Sequence, residues 1–167
     1  MSADRATTIL ARFNSAHNDL MWKLRDCAFE AAEQMPDGDG WSAAQIGCHV
    51  AITNDFIAAV LTGERPMAQP APADFRESFD LGSVPAKLKT LAALEPPRVV
   101  GIDAAIERLR ASAHHMSKAI ASLTPERGAG YCVSLPFGTL SLFELADFTA
   151  AHVTRHAAQV QKVVGKG

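Results

Sequence analysis

The chain has 167 residues, 48% of them hydrophobic and 20% charged, with a formal net charge of −2. This length suits one domain with a real core and is too short for two. The near-balanced charge gives no field to gather phosphate backbones, and no Lys/Arg run interleaved with aromatics occurs, so nucleic acid is not expected as a partner.

Alanine-rich stretches with apolar residues three and four apart dominate, and no alternating β-branched run competes with them, which predicts an all-α fold. A first helix is expected over about residues 4–34, carrying Ile9, Leu10, Phe13, Leu20, Met21, Leu24, Cys27 and Ala28, and stopping at MPDGDG. Its opening, MSADRATTIL, mixes charge with polarity and has no apolar signal region. The most apolar windows elsewhere are interrupted by Asn54, Asp55, Arg155 or Gln159, so no membrane span is expected and the location is read as cytoplasmic.

The second helix has the clearest start. Ser42 and Gln45 form an S-x-x-Q capping box, Trp41 can staple onto Ile46, and Gly63 supplies the stop after Thr62. Repeated prolines then make residues 64–85 an irregular crossing, either a cover over one end of the fold or a linker. A short helix is expected over residues 85–94, with Leu88, Leu91 and Leu94 in one stripe, ended by Pro96 and Pro97.

The third helix should run from an Asp103 cap to Ser122, with Ala105, Ile106, Leu109, Ala113, Met116 and Ile120 inward and Thr124-Pro125 closing it. An irregular stretch, ERGAGYCVSLPFGT, leads to a second capping box of Ser141 with Glu144, with Leu140 placed to staple onto Leu145. The fourth helix reaches about Val164. Four long helices with one long crossover between the second and third describe a single four-helix bundle domain over residues 1–167, in which those two helices run parallel.

Heptad-like seams pass through Ser42, Ile46, His49, Thr53, Phe56 and Val60, and through Leu145, Thr149, His152, His156, Gln159 and Val163. His152 and His156 share one helix face, with Cβ atoms about 5–6 Å apart. His49 lies about 10 Å from the start of its helix and His156 about 12 Å from the end of its own, so antiparallel packing would bring them level. Two readings stand: three hydrogen-bonded core histidines, or three imidazoles holding one metal with a position left open for water or substrate. Cys27, Cys48 and Cys132 have no C-x-x-C spacing and read as reduced thiols. His17, the adjacent His114 and His115, and the carboxylates Asp55, Glu144 and Asp147 are weaker candidates, read equally as surface charges or caps.

WSAAQIGCHVAITNDFIAAVL and PFGTLSLFELADFTAAHVTRHAAQVQKVV, about fifty residues together, resemble the DinB-like superfamily, which includes YfiT-type metal-dependent hydrolases and thiol-dependent transferases and isomerases. The likeness lies in Trp-Ser followed by a histidine seven residues after the Ser, and in Pro-x-Gly before a helix bearing H-x-x-x-H. The resemblance implies a divalent metal, with zinc, nickel or iron as candidates, held by His49, His152 and His156. It further implies a small-molecule substrate, a low-molecular-weight thiol such as bacillithiol or mycothiol as cosubstrate, and a homodimer. A thiol-dependent S-transferase or a hydrolase is the implied activity. No general acid or base is identifiable, which leaves open a non-catalytic stress-response bundle that binds metal or ligand.

Overall fold

The computed structural model describes residues 2–38, 40–80, 82, 84 and 90–165. Among them the chain forms α1 (Ser2–Asp26), α2 (Phe29–Glu33), α3 (Ala43–Thr62), β1 (Gln69–Pro70), a 3-10 turn (Ala92–Leu94), α4 (Ile102–Ala121), α5 (Pro125–Gly130), β2 (Tyr131–Leu135), β3 (Gly138–Ser141) and α6 (Leu142–Val164). The fold is all-α in character, and α1, α3, α4 and α6 are its long helices. Their apolar stripes meet in a core that fully buries Phe13, Leu20, Ile46, Leu61, Leu109, Met116 and Phe143.

Both expected capping boxes are present. Ser42 Oγ accepts from Gln45 N at 3.1 Å while Gln45 Oε1 accepts from Ser42 N at 2.9 Å, and Ser141 with Glu144 does the same at 3.0 and 2.9 Å. Each box satisfies amide protons that a helix start otherwise leaves unpaired. Gly63 ends α3 in the left-handed region, φ +89°, where a Cβ would be strained.

Side-chain partners give the helix directions. Along α3 and α4 they ascend together: Gly47 faces Ala105, Arg108 reaches Cys48, Asn54 donates to Ser112 and Asp55 pairs with His115. These two helices therefore run parallel, which is why a long crossover joins them. Partners also ascend along α1 and α6, from Arg5 over Phe143 to Arg12 with Asp147. Between α1 and α4 they descend, His17 meeting Leu109 and Asn14 meeting Ser117. It follows that α3 and α6 are antiparallel.

Four expectations need correction. The first helix breaks at Ala28, whose extended ψ of 140° lets α2 turn back, bury Ala32 and bring Glu33 Oε2 to 3.4 Å from Ile102 N. The cap of α4 is Gly101 rather than Asp103, which sits in the first turn. Residues 126–139 are not irregular: Thr124 caps α5 ahead of Pro125, and β2 and β3 form an antiparallel hairpin whose outer edge pairs with β1 of the crossover. The first half of the helix expected over residues 85–94 lies outside the described residues, and of its second half only the last three residues are helical, as the 3-10 turn.

α3 is long and apolar enough to cross a bilayer by length and composition, but most of it is buried within the bundle. The crossover is tied down at several points: Glu77 pairs with Arg5 at 2.8 Å and also with Ser141, and Phe79 N donates to Glu144 Oε1 at 2.8 Å. Cys48 and Cys132 are buried and Cys27 half-buried, all as free thiols.

Gly128 in α5 is required by a close approach, because a Cβ there would meet the Phe143 ring at 2.3 Å. Gly128→Ala should lower the unfolding free energy by about 1–3 kcal/mol, read as a reduced urea midpoint with unchanged slope. An unaltered midpoint would mean that Phe143 moves aside freely.

Candidate metal centre

The directions of α3 and α6 decide whether the histidines meet. His49 stands two turns into α3, His152 stands near the middle of α6 and His156 one turn further on. Antiparallel packing brings them level: His49 Nε2 lies 3.2 Å from His152 Nε2, and His156 Nε2 lies 3.1 Å from the same atom. The three ligand atoms all fall within 4.8 Å of one another, so the cluster could hold a metal ion.

The rings do not lie on the centre of the apolar seam of α6. That seam runs through Leu145, Thr149, Val153, Ala157 and Val160, all buried, while His152 and His156 flank it and are half-buried. They face a cavity of about 1110 Å³. Its walls include Thr53, Phe56 and Val60 of α3, the 3-10 turn, and Val133, Leu135 and Phe137 from the hairpin. Phe148 lies one turn before His152 with ring centroids 5.9 Å apart, and packs on Phe137 at 5.2 Å.

Hydrogen bonds set the tautomers. His49 Nδ1 lies 2.8 Å from the Leu94 carbonyl oxygen, which can only accept, so Nδ1 carries the proton and Nε2 the lone pair. His156 Nδ1 lies 2.7 Å from Gln159 Oε1, which assigns the same tautomer. His152 Nδ1 is enclosed and has no hydrogen-bond partner among the described residues. If its proton sits on Nε2, it satisfies one neighbouring lone pair and leaves the other bare. If it sits on Nδ1, three lone pairs face one another. A cation at their focus removes that repulsion.

Two of the three spacings fit a metal directly. Zinc–nitrogen bonds of about 2.0–2.1 Å at tetrahedral angles place neighbouring ligand nitrogens about 3.3 Å apart, against 3.2 and 3.1 Å from His152 Nε2 to its neighbours. The remaining pair, His49 with His156, lies within 4.8 Å and has to draw in to share an ion. Burial pushes the pKa of each ring down, to about 4 for His156, with the charge of His49 adding to the effect; His152 is held well below the usual range by burial and by its two neighbours. For His49, burial outweighs the opposing bond to Leu94. All three imidazoles are therefore neutral near pH 7, the form that donates to a metal.

The other candidates go elsewhere. His17 is buried between α1 and α4 with Nε2 donating to Leu109 O at 3.3 Å. His115 is exposed and pairs with Asp55 at 2.9 Å, and His114 is also exposed. Glu144 is spent on its capping box and Phe79 N, and Asp147 on Arg12 at 2.5 Å, so neither supports a ligand ring. Sequence reasoning missed the Leu94 carbonyl and the placing of Trp41, whose ring lies 4.8 Å from His49. Only the i, i+3 spacing of His156 and Gln159 carried a readable signal.

A family model described as the DinB superfamily matches residues 12–160, a span that includes all three histidines. No curated protein and no solved structure gives a match.

The depressed pKa values make stability depend on pH. An unfolded imidazole titrates near 6.5 and folded His156 near 4, so between these values the unfolded chain holds more protons and stability rises with pH. Metal-free protein should keep full stability above about pH 6.5 and lose it as pH falls toward 4. His156→Asn should flatten the fall in urea midpoint; an equal slope in both proteins would contradict the assignment.

Proposed function

We propose that this chain, which belongs to the DinB superfamily, is a metal-dependent enzyme acting on a small molecule, with His49, His152 and His156 as its metal ligands. The observation that carries this reading is the meeting of three imidazole Nε2 atoms at the wall of a large apolar cavity. A closed structural site would be wrapped by a fourth side chain, whereas three ligands beside a cavity leave room for a reactant.

When bound, a divalent ion supplies Lewis-acid activation and lowers the pKa of a coordinated water or thiol. The chain's own residues prepare for it. Leu94 O and Gln159 Oε1 hold protons on Nδ1 and so turn the Nε2 lone pairs inward. Trp41 packs on the His49 ring, and Phe137 with Phe148 keeps the other side of the cluster apolar and poor in water.

Asp55, Glu144 and Asp147 are all engaged elsewhere. Glu95, next to Leu94, is the one carboxylate among the described residues lining the cavity, and the favoured reaction is one whose nucleophile is acidified by the metal itself. Transfer of a low-molecular-weight thiol to a small electrophile fits this best, and hydrolysis is its near relative. Zinc, nickel and iron all suit an imidazole set.

Elemental analysis of tag-free protein purified without added metal, beside His49→Ala and His156→Ala, tests the reading. Wild type should carry about one divalent ion per chain and each variant less than about a tenth of that. Equal metal in all three would overturn it. Metal in wild type with no consumption of thiol across a panel of thiols and electrophiles would instead favour a binding role.

A further inference from the structure

The cavity is polarised along α6. At helical intervals the wall passes from Phe148, through His152 and His156, to Gln159 and finally Lys162, with Arg155 beside His156. Phe148 is backed by Phe137 and Phe79, with ring centroids 5.2 and 6.2 Å away. One end of this line is thus aromatic and the other cationic, with the histidines between. About 10 Å of helix rise separates Phe148 from Arg155, a span suited to a bicyclic aromatic body with a short acid-bearing arm.

Among the described residues lining the cavity, the charged ones are Arg155, Lys162 and Glu95. Glu95 belongs to the segment beside Leu94 rather than to α6. A ligand laid along α6 therefore meets aromatic rings, then the histidines, then positive charge. The Arg155 charge is felt at both α6 histidines, where it disfavours protonation.

We infer that the cavity takes a small amphipathic carboxylate, its aromatic or similarly apolar body against Phe137 and Phe148 and its carboxylate at Arg155 and Lys162. This rests on the cavity being the substrate site of the proposed enzyme, and it places the reacting atom between the two ends. Recognition divides between them: the rings supply apolar burial, and the two cations supply charge complementarity at the mouth.

Calorimetric titration of the full chain with 2-naphthaleneacetate, 2-naphthaleneethanol and 2-naphthaleneethylamine tests it, in chelator-treated and zinc-reconstituted protein, with metal content measured first. The acid should bind at least about tenfold more tightly than the alcohol in both preparations, and the amine most weakly. In an Arg155→Gln/Lys162→Gln double variant the acid should fall to the level of the alcohol while alcohol binding stays unchanged. Phe148→Ala should weaken acid and alcohol alike.

Equal binding of acid and alcohol to wild type, or no binding of either, overturns the inference. So does an advantage for the acid that survives the double variant, or one that vanishes on metal removal and thus belongs to the ion. The metal reading fails separately: a chain that takes up no zinc yet prefers the acid through Arg155 and Lys162 contradicts the proposed enzyme and leaves the anion subsite standing.

Discussion

Three neutral imidazoles aim their Nε2 atoms at one point with neighbouring separations of 3.1 and 3.2 Å. With Nδ1 protons committed to Leu94 O and Gln159 Oε1, at most one proton is left to share among three lone pairs. Such a focus is costly when empty and favourable around a cation. The apolar cavity sharpens the effect, because burial denies the rings the alternative of becoming charged.

The register and direction that bring the three rings together are set at a distance from them. The two capping boxes set where α3 and α6 begin, and hence which residues fall two turns into the one and three to four turns into the other. The parallel run of α3 with α4, and of α1 with α6, forces α3 and α6 to oppose each other. The same topology demands a long crossover, and that crossover returns the Leu94 carbonyl to His49. A short connection could not do both.

Much of this was legible in the residues. S-x-x-Q and S-x-x-E ahead of apolar runs are local signals, and both boxes form as read; H-x-x-x-H puts two rings on one face by helix geometry alone. The small sheet was hidden because Tyr131–Leu135 is only five residues long, lies among helices and is stabilised by pairing with β1 some sixty residues away. The break at Ala28 has no local marker either, since the apolar spacing runs straight through it; what decides it is burial of Ala32 in tertiary packing. Seam spacing also put His152 and His156 nearer the core centre than they are, because a period of three and four cannot separate a core position from a cavity wall beside it. The cavity itself, made by residues from α3, the crossover, the hairpin and α6, has no one-dimensional signature.

The charge asymmetry along α6 and the lone-pair focus are properties of the same helix face, one set for a metal and the other for what binds beside it. Anomalous diffraction from crystals of protein purified without chelator, collected at the zinc, nickel and iron edges, examines the focus most directly. A single anomalous peak bonded to Nε2 of His49, His152 and His156, at about 2.0–2.1 Å if zinc, is the predicted result. A well-ordered cluster with no peak, or a peak bound elsewhere on the chain, would contradict it.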